Sequence, residues 1–423
     1  MSFKREEKVA KYLESFFLQE NNSHDLPLRP TDKNKTLVEY LSLQNCRIPV
    51  YVNEFWTAKQ RQGSSLQEIS YRACFKPQLP RFFIDLFTKK GDFVYDPFSG
   101  RGTTVIEAGL LGRNVIANDI NPLSKILSLP RFTIPLPGEL QKRLEEIPIN
   151  KNLSADIDLS MFFHRQTEAE LVSLKKYFLF RSLNGTEDSL DRWIRMVATN
   201  RLTGHSPGFF SVYTLPPNQA VSPERQIKIN IKRKQKPTYR DTKSLIMKKS
   251  HSLLRKLTAR QIRNLKKAAG RALFLTKDAR NTPEIEDNSV QLTVTSPPFL
   301  NIVQYSKDNW LRCWFNSIEA KKVEKSITMA RTLEKWTGVM AAVLKELFRV
   351  TKEGGWVAFE VGEIRSGTIK LEEYVIPLGI RAGFVCKGVV INLQEFTKTS
   401  NIWGVSNNKS GTNTNRIVLF KKK

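Results

Sequence analysis

The sequence predicts an α/β fold in which an open sheet is interrupted by a helical and strongly basic segment. Short apolar runs typical of strands alternate with helical periodicity over residues 92–122 and again over 289–420. Two of these strands end in turns rich in glycine or proline, the position at which open α/β sheets bind ligands. Between the two turns the chain carries helical patterns and many lysines and arginines. Its 423 residues are enough for one large domain with an inserted module.

The first turn, Asp96–Thr104, follows a short apolar strand and precedes the helical run Val105–Leu111. Gly100 and Gly102 allow a sharp turn and let a ligand approach the backbone without a Cβ in the way. The free amide groups at the start of the helix then favour an anionic group. A second strand ends at Asp119, about 20 residues after the glycines, the spacing at which a carboxylate reaches ribose hydroxyls. A purely structural turn is the alternative.

The second turn is Thr295-Ser296-Pro297-Pro298-Phe299, at the end of a run in which apolar and polar residues alternate. Its two prolines end the strand, because proline cannot donate to a sheet ladder and fixes its own φ. The turn presents a hydroxyl, backbone carbonyls without matching N–H donors, and an aromatic ring. This set suits an exocyclic amino group on a flat ring, with acceptors for its two hydrogens and a surface for the ring. An ordinary turn after a strand is the alternative.

The last third of the chain predicts the remaining elements of the sheet. An amphipathic helix over 336–350 ends before two glycines, and a strand over 356–361 follows it. A helix is predicted over 371–382. Strands over 385–393 and 416–420 then close the sheet as an antiparallel hairpin.

The two turns together resemble those of the bacterial DNA amino-methyltransferases, which transfer a methyl group from S-adenosylmethionine to N4 of cytosine or N6 of adenine. The resemblance implies a class I S-adenosylmethionine-dependent methyltransferase fold: an α/β, Rossmann-like sheet with a terminal antiparallel hairpin, here carrying an inserted, largely helical basic module. At Arg101 many members of the family carry a small residue; the turn stays possible, because the arginine side chain can point outward, but its contacts are left open. The resemblance is carried by Asp96–Thr104, Thr295–Phe299, Ile69–Pro80 and Thr276–Arg280.

The resemblance also implies a role for individual residues of the cofactor site. On this basis Asp96 and the turn Ser99–Thr103 contact the methionine end of S-adenosylmethionine. Asp119 contacts the ribose, Ile120 one face of the adenine, and Asp278 the adenine amino group. The complete predicted cofactor site is Tyr71, Lys76, Asp96, Pro97, Phe98, Ser99, Gly100, Gly102, Thr103, Asp119, Ile120 and Asp278.

Catalysis is assigned by the same resemblance to Ser296, Pro297, Pro298 and Phe299. A base inside a duplex hides its amino group, so we expect the target base to be flipped out. Phe299 would stack on the ring, while Ser296 Oγ and the carbonyl of Pro297 accept the amino hydrogens. The methyl group then moves in one in-line displacement that depends on positioning, and no metal ion is expected. Serine at position 296 favours N4 of cytosine, because adenine-N6 members usually place Asp or Asn there.

The charge of the chain indicates a polyanionic partner. The formal net charge is +27, and eighteen lysines and arginines lie between Arg225 and Lys277 against the single acid Asp241. A phosphate backbone requires such a density, whereas one small substrate does not; a merely solvated basic face is the alternative. The predicted nucleic-acid-binding residues are His205, Lys232, Arg233, Lys234, Lys236 and Arg240.

We divide the chain into a helical lead-in and linker (1–50), a cofactor-binding half (51–130), an inserted target-recognition region (131–268) and a catalytic half (269–423). The four cysteines are widely separated and lack metal-ligand spacing, which favours reduced thiols in a cytoplasmic protein. No apolar run approaches the roughly 18 residues of a membrane span, so no membrane partner is expected.

These observations predict a site-specific DNA methyltransferase that modifies N4 of a flipped-out cytosine in double-stranded DNA, within a restriction-modification system. A cognate restriction endonuclease would then be a functional partner. The alternatives are N6-adenine methylation of DNA, amino-group methylation of RNA, and a catalytically silent DNA-binding protein on the same scaffold. The order of parts, with the glycine turn first and the insertion in the middle, is less usual for Ser-Pro-Pro members of the family.

Overall fold

The computed structural model of the chain describes residues 3–18, 35–43, 46–57, 63–72, 74–216, 220–298, 305–326, 332–364, 369–393 and 414–423. The strands are β1 (Leu37–Leu43), β2 (Cys46–Asn53), β3 (Phe93–Asp96), β4 (Asn114–Asn118), β5 (Leu273–Leu275), β6 (Val290–Thr295), β7 (Thr351–Val361), β8 (Glu363–Ile364), β9 (Ile369–Lys370), β10 (Val385–Leu393) and β11 (Thr414–Lys421). The helices are α1 (Phe3–Glu14), α2 (Gln78–Phe87), α3 (Thr103–Leu110), α4 (Leu123–Ser128), α5 (Pro137–Glu146), α6 (Arg165–Leu183), α7 (Ser189–Arg201), α8 (Pro223–Arg233), α9 (Thr242–Leu254), α10 (Ala259–Ala269), α11 (Tyr305–Asp308), α12 (Trp310–Phe315), α13 (Ala320–Ser326), α14 (Leu333–Val350) and α15 (Glu372–Arg381).

Most of these strands form one mixed sheet in the order β1-β2-β10-β11-β7-β6-β3-β4-β5. Strands β5, β4, β3, β6 and β7 are parallel neighbours. Numbered in chain order they stand as 3-2-1-4-5, the Rossmann arrangement, whose switch point lies between the first and fourth strands. Strand β11 is antiparallel to both of its neighbours, β7 and β10. The predicted class I methyltransferase fold, a Rossmann-like sheet with a terminal antiparallel hairpin, is confirmed.

The central strand β6 is buried on both of its faces. Its alternating apolar residues Val290, Leu292 and Val294 are fully buried, and so are the intervening Thr293 and Thr295. A parallel strand in the middle of an α/β sheet is covered by helices on both sides, which explains this burial. Because two prolines follow, the strand ends at Thr295, as the sequence predicts.

Helices cover both faces of the sheet and bury a separate apolar cluster on each. On one face, Phe83 of α2 and Val105 of α3 pack into the larger cluster. On the other face, Leu344 of α14 and Val375 of α15 pack against Phe359 of β7. The sheet is therefore the middle of three layers, and its strand ends are free to form a site.

The inserted region folds mainly into helices α5 to α10. Its apolar residues Leu171, Trp193 and Leu253 belong to the same buried cluster as Val105 and Ile106 of α3. The region thus extends the core on one face of the sheet, and this shared core fixes its position against the sheet. The boundaries at 131 and 268 stay a prediction.

The sequence did not predict the first two strands. Strands β1 and β2 form an antiparallel hairpin, and β2 pairs in parallel with β10, as at Val50 with Val389. The amide groups of Phe55 and Trp56 donate to the side chain of Asn392 at 2.7 and 3.0 Å, which anchors the end of β2. This part of the chain therefore extends the sheet by two strands. The polar stretch 20–25, predicted as a linker, lies outside the described residues.

Candidate active site

One cleft opens at the carboxyl end of strands β3 and β6. The strands are parallel neighbours, paired at Val94 with Leu292, so the turns that follow them emerge at the same edge of the sheet. Both turns line this cleft, with Gly100 from the first and Ser296 from the second. The two turns that the sequence places about 200 residues apart therefore meet, as the methyl-transfer interpretation requires.

Two buried hydrogen bonds join the strand ends beneath the cleft. The hydroxyl of Thr295 donates to Asp96 Oδ1 at 2.7 Å. The hydroxyl of Thr104, in the first turn of α3, donates to the carbonyl of Val294 at 3.1 Å. Both threonines are fully buried, and buried hydrogen bonds of this kind rigidify the groups they connect. They fix the glycine turn and the Ser-Pro-Pro turn relative to each other.

Asp119 holds the glycine turn in place from the end of β4. Its Oδ2 accepts a hydrogen bond from the amide of Gly100 at 2.8 Å, and its Oδ1 accepts one from the amide of Asn121 at 2.9 Å. Gly100 has a φ of +51°, the left-handed region that glycine tolerates. Burial raises the pKa of Asp119 to about 6, although both hydrogen bonds lower it. The carboxylate lines the cleft beside the glycine turn, where the sequence predicts a ribose.

Asp96 lines the same cleft at the end of β3. Besides the hydrogen bond from Thr295, its Oδ1 accepts one from the amide of Phe98 at 3.1 Å. Burial raises the pKa of Asp96 to about 7, even though these hydrogen bonds lower it. A cation that binds beside such a carboxylate favours its ionised form and lowers the pKa again. The position therefore suits an ammonium or sulfonium group.

Glu360 is a buried acid of the site that the sequence analysis missed. Phe359 of β7 pairs with Thr295 of β6, so the next residues along the two parallel strands, Glu360 and Ser296, lie beside each other. The hydroxyl of Ser296 donates to its carboxylate, and Asn415 Nδ2 donates to Oε1 at 2.5 Å. Burial raises the pKa of Glu360 to about 7, and the nearby charge of Asp96 also raises it. The only sequence signal is one acid in the apolar strand Trp356–Val361.

The predicted catalytic residues occupy different surroundings. Ser296 and Pro298 line the cleft, whereas Pro297 is buried and does not line it. The carbonyl of Pro298 accepts a hydrogen bond from Trp336 Nε1 at 3.0 Å, which fixes the end of the turn against α14. Phe299 lies outside the described residues, so its predicted stacking role stays a prediction.

Two family models match this chain. One, described as DNA methylase, matches residues 3–125, and the other, described as RMKL-like, methyltransferase domain, matches residues 67–201. Both matches contain the glycine turn and Asp119. The resemblance to the DNA amino-methyltransferases is confirmed. Together with the class I sheet, the match also confirms S-adenosylmethionine as the cofactor of this methyltransferase fold.

Individual relatives match parts of this chain. Type II methyltransferase M.BsoBI from Geobacillus stearothermophilus is 26% identical over 285 residues, which are 61% of this chain and 53% of the relative. A tRNA (guanine(10)-N2)-dimethyltransferase from Methanocaldococcus jannaschii is 40% identical over 63 residues, 15% of this chain and 18% of the relative. The chain thus spans about half the length of the first of these relatives and less of the second.

Among solved structures, a putative DNA modification methylase from Thermus thermophilus is 22% identical to this chain. The superposition covers 34% of this chain and 50% of that one, with a TM-score of 0.21.

The lining of the cleft fits the chemistry of S-adenosylmethionine. The empty volume of the cleft is about 1080 Å³, which includes space that is open to solvent. The carboxylates of Asp96, Asp119 and Asp278 line it, which suits a ligand with an ammonium, a sulfonium and a ribose. Apolar side chains of α14, Met340 and Val343, line the cleft together with Ile120. A flat adenine ring is the part of the cofactor that such a wall accommodates.

The predicted adenine acceptor Asp278 is already paired. It lines the cleft, but Arg280 donates to both of its carboxylate oxygens, from Nε at 2.9 Å and from a terminal nitrogen at 2.5 Å. Arg280 also lowers the pKa of Asp278. A carboxylate accepts several hydrogen bonds, so an adenine amino group would share Asp278 with this arginine.

The segment before the glycine turn contributes a second wall. Tyr71 lines the cleft, together with Cys74 and Phe75, which the sequence analysis did not select. Lys76, predicted at the cofactor, does not line the cleft among the described residues. Burial lowers the pKa of Lys76, and its predicted contact with the cofactor stays a prediction.

Two residues of the glycine turn serve packing. The side chain of Arg101 does not point outward: it is buried and donates to the carbonyls of Gln67 and Ile69 at 3.1 and 2.7 Å. Gly102, predicted at the cofactor, does not line the cleft. A Cβ at Gly102 would lie 2.6 Å from the Cβ of Ser128 in α4. Arg101 therefore ties the turn to the preceding segment, and Gly102 allows α3 to approach α4.

We expect Gly102→Ala to lower the free energy of unfolding by roughly 2–5 kcal/mol, because it combines a left-handed φ with overpacking. The φ of Gly102 is +80°. The matched control is Gly91→Ala, where φ is +86° and nothing lies within 4 Å of the added Cβ; its expected cost is about 1–2 kcal/mol. Urea unfolding of both variants measures the difference. If both variants lose the same free energy of unfolding, the contact of the added Cβ with Ser128 does not contribute to the loss.

The predicted nucleic-acid-binding residues lie on the inserted region. Lys232, Arg233 and Lys234 are exposed at the end of α8, and Lys236 follows them. His205 is exposed in the loop after α7. Arg240 is only half-buried, and its backbone is held by the side chain of Thr167. Their contacts with nucleic acid stay a prediction.

Within the described ranges, no helix is both long and apolar enough to cross a membrane. The same residues contain no cluster of three or more histidine, cysteine, aspartate or glutamate side chains arranged to bind a metal ion.

Proposed function

We propose that this protein transfers a methyl group from S-adenosylmethionine to the exocyclic N4 of a cytosine that is flipped out of double-stranded DNA. One observation carries the proposal: the hydroxyl of Ser296 and the glycine turn at Gly100 share one cleft. The match of residues 3–125 to the DNA methylase family supports the class of reaction. The serine before the two prolines favours cytosine over adenine by resemblance to the family.

The residues of the chain supply positioning and a route for the proton. S-adenosylmethionine, held beside Asp96 and Asp119, would supply the methyl group: the bond from the methyl carbon to the amino nitrogen would form as the bond from that carbon to sulfur breaks. Ser296 Oγ accepts a hydrogen of the amino group and orients the nitrogen lone pair toward the cofactor side of the cleft. The proton released from the nitrogen passes to Ser296 as the serine proton moves to Glu360. A carboxylate with a pKa of about 7 is suited to this task near neutral pH.

The basic inserted region supports DNA as the substrate. Its density of lysine and arginine matches a phosphate backbone. Binding should therefore weaken steeply with salt: the slope of log K against log salt concentration should be about −0.9 for each phosphate neutralised. We place the reaction in the cytoplasm, as the modification activity of a restriction-modification system with a separate endonuclease as functional partner.

Methyl transfer to defined nucleic acids tests this function. Purified protein would be incubated with labelled S-adenosylmethionine and a duplex DNA library, and the digested nucleosides would be separated by mass. We expect N4-methylcytosine within one sequence context. N6-methyladenine would contradict the choice of base, and cofactor binding without transfer to any DNA or RNA would contradict the enzyme assignment.

RNA is the second candidate substrate. The segment that is 40% identical to a tRNA (guanine(10)-N2)-dimethyltransferase favours it, since that name describes methyl transfer to an amino group of RNA. The labelled assay with total tRNA and duplex DNA in parallel distinguishes the two. Transfer to RNA alone would replace the DNA proposal.

A further inference from the structure

Helix α8 carries two exposed isoleucines on its outer side, while two polar side chains anchor it to the protein and Ile229 packs against the core. Ile227 and Ile231, one helical turn apart, are 44% and 72% exposed. On the inner side, Gln226 is fully buried and donates to the carbonyl of Tyr213 at 3.0 Å. Asn230 Nδ2 donates to the carbonyl of Met161 at 2.8 Å. Polar anchors thus hold the helix, and its aliphatic stripe faces outward, which indicates a binding surface.

Positive charge flanks this stripe on the same helix. Lys228 and Lys232 directly follow the two isoleucines in sequence and are exposed. In the described part of the chain, residues 225–236 form no ion pair with a carboxylate, and Glu224 is the one acid of the helix. The other exposed cations beside them are Arg225, Arg233, Lys234 and Lys236. Such a surface complements a polyanion and repels an equally basic second copy of this chain.

The segment just before α8 is connected to the wall of the active-site cleft through Asp308 and Arg72. The amide of Ala220 donates to the carbonyl of Asp308 at 3.1 Å, and Trp310 Nε1 donates to the carbonyl of Val221 at 3.1 Å. The carboxylate of Asp308 in turn pairs with Arg72 at 2.7 Å, and Arg72 follows the cleft residue Tyr71. A duplex held by α8 would therefore lie beside the cleft that receives the flipped base.

We propose that α8 enters the major groove of duplex DNA, where Ile227 and Ile231 contact thymine methyl groups and Lys228 and Lys232 contact phosphates. The inference rests on the proposed function and names residues that set the recognised sequence. The major groove is about 12 Å wide and admits one helix, and thymine is the base that presents a methyl group there. Two residues four positions apart lie about 6 Å apart along the helix axis, close to two base steps.

The test removes the apolar contact either from the protein, by shortening the isoleucines, or from the DNA, by replacing thymine with uracil, which lacks the methyl group. The variant Ile227→Ala with Ile231→Ala is compared with wild type on the recognised duplex and on the same duplex with uracil in place of thymine. We expect the wild type to lose about 10- to 100-fold in kcat/KM on the uracil duplex. The double variant should be about equally slow on both. The matched control is Phe180→Ala with Leu183→Ala on α6, whose side chains are 66% and 78% exposed; it should behave as wild type.

The lysines give a second readout. Lys228→Gln with Lys232→Gln should weaken binding to all duplexes alike and reduce the slope of log K against log salt by about 2. An unchanged salt slope would overturn the phosphate contacts. Three outcomes would overturn the groove contact. The first is a recognised site without thymine, and the second is the same dependence on thymine in the isoleucine variant and the wild type. The third is a dimer that the isoleucine variant dissociates without a change in sequence preference.

Failure of the proposed function gives a different pattern. If the wild type binds S-adenosylmethionine but methylates no DNA, the enzyme assignment fails, and fluorescence anisotropy with the same thymine and uracil duplexes still decides the role of α8. Sequence-independent binding that the isoleucine variant leaves unchanged would overturn the inference in that case.

Discussion

Replacing Ser296 by alanine is expected to lower kcat by about 100-fold or more, the usual scale for a positioned hydrogen-bonding group at a reacting centre. The change removes the acceptor of the amino hydrogen and the link to Glu360. The dissociation constant for S-adenosylmethionine should stay the same, because the predicted contacts with the cofactor are made by Asp96 and Asp119 and not by Ser296. Single-turnover methyl transfer and calorimetric titration with the cofactor measure the two quantities separately.

The control for this variant is Ser289→Ala, at the other end of the same strand. Ser289 Oγ donates to the carbonyl of Glu286 at 2.7 Å and lies outside the cleft. It should leave kcat unchanged. Turnover of the Ser296 variant at the wild-type rate would show that the amino group is held by another acceptor and that the proton route proposed above does not exist.

Replacing Glu360 by glutamine is expected to lower kcat by about 100-fold and to change its dependence on pH. The carboxylate accepts the proton only when ionised, and burial raises its pKa to about 7. In the wild type, kcat should therefore be low below pH 7, rise through about pH 7 and level off above it. Glutamine cannot ionise, so the variant should lack this rise. The pH profile of kcat at saturating cofactor and DNA measures the difference.

Glu346→Gln is the matched control for the Glu360 variant. Glu346 is also a buried acid, but it accepts hydrogen bonds from Thr282 and Arg349, away from the cleft. We expect it to lower the free energy of unfolding while leaving the pH profile of kcat as in the wild type. If kcat of the Glu360 variant still rises through about pH 7 as in the wild type, another group causes that rise, and Asp96 is the nearest alternative.

The local sequence predicts those strand ends and helices that are defined by the residues within them or next to them. The apolar run before Asp96, the glycines after it and the prolines after Thr295 each define a strand end by backbone chemistry alone. The helix predicted over 336–350 begins at Leu333, and the strand predicted at 356 begins at Thr351. Here the two glycines expected to separate helix from strand lie inside the strand, because pairing with neighbouring strands extends it.

Other features depend on partners that are distant in sequence. Strand β2 exists because it pairs with β10, more than 300 residues later. The proposed role of Glu360 depends on its neighbour Ser296 across the strand pair, which strand periodicity does not reveal. Arg101 points inward because the carbonyls of the preceding segment accept its hydrogen bonds. Such relations appear only once the strand order is known.

The adjacency of β3 and β6 has a consequence for biosynthesis. Asp96 and Thr295, joined by a hydrogen bond in the finished sheet, are 199 residues apart in the chain. At about 5–20 residues per second, the ribosome needs roughly 10–40 s to make the intervening segment. Throughout that interval the nascent β3 presents an unpaired apolar edge. Translation speed and chaperone access during this window should therefore influence the yield of active protein.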